Sequence, residues 1–160
     1  MKSILLSIMI LSTLLSGGGS LSVKVYKGTS RYSSDVICTL KNSKVYKQSS
    51  SYSSDIICTV KGERIYKGTS NYSSDILYTV RTGKVYKGNS NYSSDIVMTI
   101  KDGKLYRGTS SYSSDILATV RDGKVYSGTS SYSSDILFTI DGNLTLEEFV
   151  AVWHAARYTW

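Results

Sequence analysis

A unit of 20 residues recurs six times in this chain, from Lys24 to Asn143, and this repeat constrains the fold more than any other feature of the sequence. The fifth copy, KLYRGTSSYSSDILATVRDG over residues 104–123, represents them all. Each copy holds two short runs of β-branched and aromatic residues, close to Lys-Val-Tyr-Lys and Ile-Leu-x-Thr-Val, which have the length and composition of strands. The repeat therefore predicts two strands per copy and twelve in all.

The two connections of the repeat differ in length and chemistry. The second strand is joined to the next first strand through pairs such as Thr82-Gly83, Asp102-Gly103 and Asp122-Gly123. Such pairs favour a tight hairpin, because both central residues of that turn need a positive φ. The first strand is joined to the second by the longer loop Gly-Thr-Ser-x-Tyr-Ser-Ser-Asp, which is rich in turn-forming residues. Consecutive strands are thus predicted to be antiparallel neighbours.

The repeat ends after the sixth copy, and the remaining residues predict one buried helix. Thr145 and Glu148 have the spacing of a capping box, and residues 146–158 are apolar on every side of a helix. A barrel of twelve strands has a radius of roughly 12 Å, too wide for its own side chains to fill, and a helix about 10 to 12 Å across fits its lumen. We therefore predict a mainly β fold, a closed antiparallel up-and-down barrel of six hairpin repeats around a C-terminal hydrophobic helix. The alternative is a β-solenoid of six 20-residue coils with a helical cap.

One position of the second strand varies in size from copy to copy, and we expect it to contact the helix. Strand alternation places Val36, Cys38 and Leu40 on one face. The middle place stays apolar or aromatic in every copy. A six-fold symmetric wall must break its symmetry where it touches an asymmetric helix. The predicted helix-contacting core consists of Cys38, Cys58, Tyr78, Met98, Ala118 and Phe138 from the wall and Phe149, Val152 and Trp153 from the helix.

Residues 1–19 are predicted to form a signal peptide. Lys2 supplies a positive start, and residues 4–15 are largely apolar but shorter than the roughly 20 residues that a membrane span needs. Leu15-Ser16-Gly17 resembles a lipobox, but Gly18 stands where the lipidated Cys would be, which argues against lipid anchoring. We predict export to the periplasm, the cell surface or the medium. The predicted organisation is a signal peptide at 1–19, repeats at 20–143 and a helix at 144–160 packed inside the barrel as part of one domain.

With these features the chain resembles the β-flowers, shallow repeat barrels whose hairpins form the petals. In architecture it is also similar to the tubby-like barrel, in which twelve strands close around a C-terminal hydrophobic helix. The resemblance covers residues 24–160 and rests on the hairpin count, the terminal helix and the near-lipobox. It implies a closed barrel with the helix inside. No position of this chain matches the phosphoinositide-binding residues of the tubby-like barrels.

The sequence offers few residues for catalysis or metal binding. His154 is the only histidine, so a Ser-His-Asp set cannot recur in the repeats and no pair of histidines can hold a metal. A ring of six aspartates could attract a hard cation, but a carboxylate that follows two serines usually accepts hydrogen bonds from its own turn. We therefore predict no enzymatic activity, no metal site and no cofactor. The six aspartates are Asp35, Asp55, Asp75, Asp95, Asp115 and Asp135.

Basic residues flank the predicted tight turns, and the chain carries a net charge of +7. They predict a positive rim, diluted by Glu63, Asp102, Asp122 and Asp141, although strand-end cations can also serve only to protect edges and keep a protein soluble. Such a rim attracts anionic partners. With Lys24, the rim comprises Lys41, Lys44, Lys61, Arg64, Arg81, Lys84, Lys101, Lys104, Arg121 and Lys124.

These features predict a non-enzymatic, exported binding module that engages an anionic envelope component or another envelope protein through its rim. The anionic candidates are a lipid head group, which would bring peripheral contact with a membrane, lipopolysaccharide or an acidic glycan; nucleic acid is not expected. The alternative is a structural or surface-assembly protein whose tyrosine-rich petals pack against copies of itself or against glycans.

The two cysteines distinguish the barrel from the solenoid. Cys38 and Cys58 occupy the same place in adjacent copies. In a solenoid their Cα atoms would lie about 4.8 Å apart, within reach of a disulfide. In the barrel one strand separates them, and a distance of roughly 9 to 10 Å would leave both thiols free.

Overall fold

The computed structural model describes residues 22–158, so the predicted signal peptide lies outside the described residues. Each repeat supplies a first strand and a longer or equal second strand. The first strands are β1 (Ser22–Lys27), β3 (Lys44–Lys47), β5 (Arg64–Lys67), β7 (Lys84–Lys87), β9 (Lys104–Arg107) and β11 (Lys124–Ser127). The second strands are β2 (Val36–Lys41), β4 (Ile56–Lys61), β6 (Ile76–Arg81), β8 (Ile96–Lys101), β10 (Ile116–Arg121) and β12 (Ile136–Asp141). One helix, α1 (Leu146–Tyr158), follows.

The twelve strands form a closed antiparallel barrel. Every strand pairs with its neighbours in the chain, and β1 pairs with β12 to close the ring. The predicted barrel is confirmed, and the solenoid alternative is wrong, because equivalent strands of adjacent repeats do not pair with each other. Cys38 and Cys58 are both free, with β3 between their strands.

The tight turns have the backbone predicted from their sequences. Asp102 and Gly103 have φ angles of 51° and 72°, and Asp122 and Gly123 have nearly the same values. This conformation twists the chain as the flanking strands require. Because each of these turns joins a second strand to the next first strand of the antiparallel ring, they all lie at one end of the barrel, which we call the tight-turn end.

A β-bulge in the second strand corrects one sequence expectation. Tyr26 pairs with Val36, and Val25 pairs with Cys38, so Ile37 is an extra residue in the ladder. Paired residues share a face, so Val36 lies with Tyr26 on the outside of the barrel, whereas Ile37 joins the core beside Cys38. The same shift recurs between β3 and β4 and in the later repeats. The expectation that Val36 shares a face with Cys38 and Leu40 is thus wrong.

Helix α1 occupies the lumen and forms one core with the wall. Val150, Ala151, Val152 and Ala155 are fully buried. Its first turn has the predicted capping box, in which the Glu148 amide donates to the Thr145 hydroxyl at 3.2 Å and the Thr145 amide donates to the Glu148 carboxylate at 2.9 Å. The helix packs mainly against β2 to β5 and is therefore displaced from the barrel axis. Within residues 22–158, no helix is long and apolar enough to cross a membrane.

Candidate functional site

Six equivalent loops leave the end of the barrel opposite the tight turns, and we call them the petals. Each petal connects a first strand to a second strand and ends in one turn of 3-10 helix with the sequence Ser-Ser-Asp, such as Ser53–Asp55. The petals comprise residues 28–35, 48–55, 68–75, 88–95, 108–115 and 128–135.

Hydrogen bonds within each petal hold its backbone in one shape. In the second petal the Ser50 hydroxyl donates to the Asp55 carboxylate at 2.6 Å, and the Tyr52 amide donates to the Ser50 hydroxyl at 3.2 Å. The Asp55 amide closes the turn on the Tyr52 carbonyl at 3.0 Å. The other five petals repeat this pattern. The six aspartates therefore accept hydrogen bonds from their own turns, as the sequence predicted.

Each petal exposes one tyrosine to solvent. Between 71% and 76% of the surface of these residues is accessible, far more than is usual for a large aromatic side chain. Hydrogen bonds already fix the backbone on both sides of the ring. A partner that binds the ring therefore loses little free energy to ordering of the petal. The exposed tyrosines are Tyr32, Tyr52, Tyr72, Tyr92, Tyr112 and Tyr132.

The petals fold back over the outer face of the wall. The Thr59 hydroxyl on β4 donates to the Gly68 carbonyl at 2.6 Å, and the Lys61 ammonium donates to the Ser70 carbonyl at 3.2 Å. The threonine contact recurs at every petal. A cation from the tight-turn end thus reaches the third petal, and the equivalent residue stands in the same register in the other repeats.

The first tyrosine of each repeat packs on the outer face of the wall, beneath the petals. Tyr66 is buried on the outer face, with the Lys61 ammonium 5.2 Å from its ring centroid. In the fifth repeat the Arg121 guanidinium lies 4.9 Å from the ring centroid of Tyr126, the first tyrosine of the sixth copy. These are cation–π distances. Part of the cationic rim therefore also supports the wall.

The predicted rim residues all lie beside the tight turns, on the outer face. Strand alternation puts Lys41 and Lys44 with Thr39 and Tyr46, and the other copies follow the same register. One rim member, Arg81, donates to the Glu63 carboxylate at 3.0 Å. Among the described residues, the other ten rim cations form no ion pair. The rim is therefore a largely unneutralised positive band that reaches toward the petals.

The sixth repeat replaces the rim cation by Asp141, and the first petal compensates. Arg31 occupies a petal position that holds Ser or Asn in the other copies, and its guanidinium lies 3.3 Å from the Asp141 carboxylate. More than half of each side chain stays exposed, so the pair adds little stability. Its consequence is that the first petal also carries a cation.

A second ring of cations at the petal end was missed by the sequence analysis. Its members end the first strands and pair in register with the variable wall position, for example Lys47 with Cys38 and Lys67 with Cys58. The recurrence of a cation directly after the first tyrosine of five copies could have revealed them. The ring consists of Lys27, Lys47, Lys67, Lys87 and Arg107, and Ser127 takes the sixth place.

The predicted helix-contacting residues lie in the core around α1. The Cys58 thiol donates to the Ala151 carbonyl at 3.7 Å, and the rings of Phe138 and Trp153 lie 6.2 Å apart. Tyr78 is partly exposed, and its hydroxyl oxygen lies 3.2 Å from Nδ1 of His154. The remaining members, Cys38, Met98, Ala118, Phe149 and Val152, are buried in the same cluster.

Burial shifts the titration of the three reactive side chains of this core. It raises the pKa of the Cys38 and Cys58 thiols to about 12, which makes both of them poor nucleophiles. Burial lowers the pKa of His154, and the positive charge of Arg157 lowers it further. His154 is therefore neutral at physiological pH and acts as a packed core residue. Residues 22–158 contain no group of three His, Cys, Asp or Glu that could hold a metal ion.

Comparison with known proteins gives one match. A family model described as 6-fold beta flower protein matches residues 25–153, which cover all six repeats and most of the helix. No curated protein and no solved structure matches the chain.

Proposed function

This chain belongs to the 6-fold beta flower protein family, and we propose that it is a non-catalytic binding module whose petals bind an acidic glycan. The observation that carries the proposal is the ring of six exposed tyrosines on hydrogen-bonded petals. A rim cation, Lys61, reaches the third petal, and the first petal carries Arg31. A tyrosine ring offers a flat apolar face and a polar tip, which suits the CH face and hydroxyls of a sugar. The cations suit its carboxylate or sulfate groups.

Six equivalent sites favour a polymer as the partner. One tyrosine and one cation form a weak site, but a repetitive chain that bridges several petals gains affinity through effective concentration. Because the petals fold over the outer wall, their tyrosines are distributed around the barrel. An acidic polysaccharide can wrap such a surface, whereas a flat bilayer can contact only part of it.

The proposal includes a cellular setting. A glycan of the cell envelope fits the predicted signal peptide, so we place the protein in the periplasm, on the cell surface or in the medium. Lipid anchoring is not part of the proposal, because Gly18 replaces the cysteine that would be lipidated.

Binding to polygalacturonate, measured by calorimetry with neutral dextran as the control polymer, tests the proposal. We expect saturable binding to polygalacturonate that weakens with salt, since the cations contribute through space, and no binding to dextran. The triple substitution Tyr52→Ala, Tyr112→Ala and Tyr132→Ala should weaken binding by at least about tenfold. Absence of binding, or a triple variant that binds like the wild type, would contradict the proposal.

A matched control uses the exposed neighbours of the same tyrosines. The triple substitution Ser51→Ala, Ser111→Ala and Ser131→Ala changes the same three petals but keeps the aromatic rings. It should bind polygalacturonate like the wild type. Vesicles containing phosphatidylglycerol separate the lipid hypothesis: if they bind more tightly than the polysaccharide, the partner is a membrane surface and the glycan proposal is wrong.

The exposed tyrosines also favour a second candidate function, self-assembly. Large exposed aromatic side chains are enriched in contact surfaces between proteins, and six identical petals could bind the petals of another copy. Sedimentation velocity distinguishes this function: assembly should grow with protein concentration and be lost in the triple tyrosine variant.

A further inference from the structure

The displaced helix leaves a cleft on the opposite side of the lumen. The cleft has a volume of about 320 Å³ and lies between α1 and the wall near β10 and β12. Its lining residues are Leu117, Leu137, Phe138, Trp153, Ala156 and Arg157. This volume is at the small end of the roughly 300–1,000 Å³ typical of ligand pockets.

The cleft lies at the petal end of the barrel. The Leu137 carbonyl accepts a hydrogen bond from Gly28, the first residue of a petal, and the Leu117 carbonyl accepts one from Gly128. Both leucines are partly exposed. The cleft therefore has access to solvent at the end where α1 finishes, and its depth is apolar.

Cations lie beside the cleft, while the carboxylates two residues before Leu117 and Leu137 accept hydrogen bonds from serines of their own petals. Arg157 is exposed, and its guanidinium lies 5.9 Å from the centroid of the Trp153 ring, which lines the cleft. Lys27 pairs in register with Phe138, and Arg107 ends β9, the strand beside β10. None of the six lining residues is acidic, and the acids of α1 are confined to its first turn, at the far end.

We propose that the cleft binds a fatty acid, with its hydrocarbon chain between α1 and the wall and its carboxylate on Arg157. The five apolar lining residues exclude polar ligands from the depth, since each unpaired polar group there would be costly. The guanidinium pairs with a carboxylate through two parallel hydrogen bonds. This site uses no petal residue, so it is independent of the proposed glycan binding.

Calorimetry with laurate and the full chain, below the micellar concentration, tests this site. We expect one laurate per chain. Leu137→Trp fills the cleft and should weaken binding by at least about tenfold. Leu77→Trp is the matched control, because Leu77 holds the same place in the third repeat but does not line the cleft, and it should change affinity by less than about twofold.

The contribution of the carboxylate is tested separately at Arg157, which is exposed. Arg157→Gln should weaken laurate binding by at least about fivefold and leave dodecanol binding unchanged, because dodecanol has the same chain without the charge. Circular dichroism melts establish that each variant is folded. If Leu137→Trp does not fold, the Arg157→Gln comparison still decides.

Three outcomes would overturn the proposal. Laurate that does not saturate, or that binds equally to the Leu137→Trp and Leu77→Trp variants, is not held in the cleft. Equal loss of laurate and dodecanol in Arg157→Gln would exclude the arginine as the carboxylate partner.

Discussion

At the scale of single residues, departures from the repeat coincide with contacts that break the symmetry of the barrel. Asp141 replaces a cation and faces Arg31, which itself replaces Ser or Asn. Tyr78 occupies the wall position that holds Cys, Met, Ala or Phe in the other copies, and its ring packs edge-to-face on His154 of the helix with the centroids 5.3 Å apart. The repeat therefore departs from its consensus where the six-fold wall contacts a feature present in one copy, such as the central helix or the Asp141–Arg31 pair.

The two thiols should be inert in the folded protein. With a pKa of about 12, Cys38 and Cys58 hold almost no thiolate at neutral pH. We expect no reaction with Ellman's reagent over the time in which denatured protein reacts at both cysteines. Rapid modification of the native protein, or a disulfide in the non-reduced protein, would contradict the buried placement of both residues.

His154 should make stability fall in mildly acidic solution. Its folded pKa lies below the ordinary value of about 6.5, so in this range the unfolded chain binds more protons than the folded one. The contribution is therefore fully present above pH ~6.5, declines as the pH falls toward the folded pKa, and then levels off.

The variant His154→Gln isolates this effect. It keeps a polar group near Tyr78 and Arg157 but cannot titrate. Melting temperatures measured from pH 8 to pH 4 should show a decline in the wild type that is smaller in His154→Gln. Parallel curves for the two proteins would assign the acid sensitivity to other groups.

At the scale of the elements, the tight turns depend on close backbone approach as well as on positive φ. Gly83 has a φ of +77°, and a Cβ added there would lie 2.6 Å from the Ile100 carbonyl oxygen. Gly62 has a φ of +57°, but nothing lies within 4 Å of its added Cβ. The two turns therefore separate backbone strain from a steric clash.

Substituting both glycines by alanine measures the two effects. Gly62→Ala should cost about 1 to 2 kcal/mol of unfolding free energy through the left-handed backbone alone. Gly83→Ala should cost at least about 1 kcal/mol more, because the clash is with backbone that cannot rotate away. Urea unfolding gives both values, and equal values would show that the third turn relaxes freely.

The helix depends on its large aromatic contact with the wall. Trp153 is buried against Phe138, so Trp153→Ala removes a large contact area and leaves a void in a rigid lumen. We expect a loss of about 3 to 5 kcal/mol. Chemical denaturation measures it, and a loss below about 1 kcal/mol would mean that the wall collapses around the missing ring.

At the scale of the whole molecule, wall and helix are a single folding unit. The inward residues of all twelve strands form one cluster with α1. On the outer face the petals form a second layer, which covers the first tyrosine of each repeat. A barrel this wide needs its central helix because short strands cannot fill the lumen.

Truncation after Gly142 should therefore prevent folding. Without the helix, the apolar inner face of the wall would be exposed to water, and the loss should exceed that of any single core substitution. We expect an aggregated or unfolded product in circular dichroism and gel filtration. A soluble fragment that melts cooperatively would show that the wall is stable alone.

Most of the features predicted correctly from sequence depend on residues close together in the chain. Asp102-Gly103 and its equivalents specify hairpins through their own φ angles. Ser50 and Asp55 close the second petal by a hydrogen bond between residues five apart, and the equivalent pairs close the other petals. Thr145 and Glu148 mark the start of the helix by their spacing. Twelve strands with one apolar face and a helix that is apolar on all sides are both buried if the strands close into a barrel around the helix.

The features that only the tertiary structure decided depend on residues distant in sequence or on register. The bulge at Ile37 exchanges the faces of Val36 and its neighbour, because the ladder with β1 determines which residue is extra. The petals lie over the outer wall because Thr59 and its equivalents bind their first carbonyls. The helix lies closer to β2 to β5, and the cleft beside Trp153 follows from that displacement. Local patterns specify turns and faces, but where an asymmetric helix rests in a nearly symmetric wall is determined by packing of the whole core.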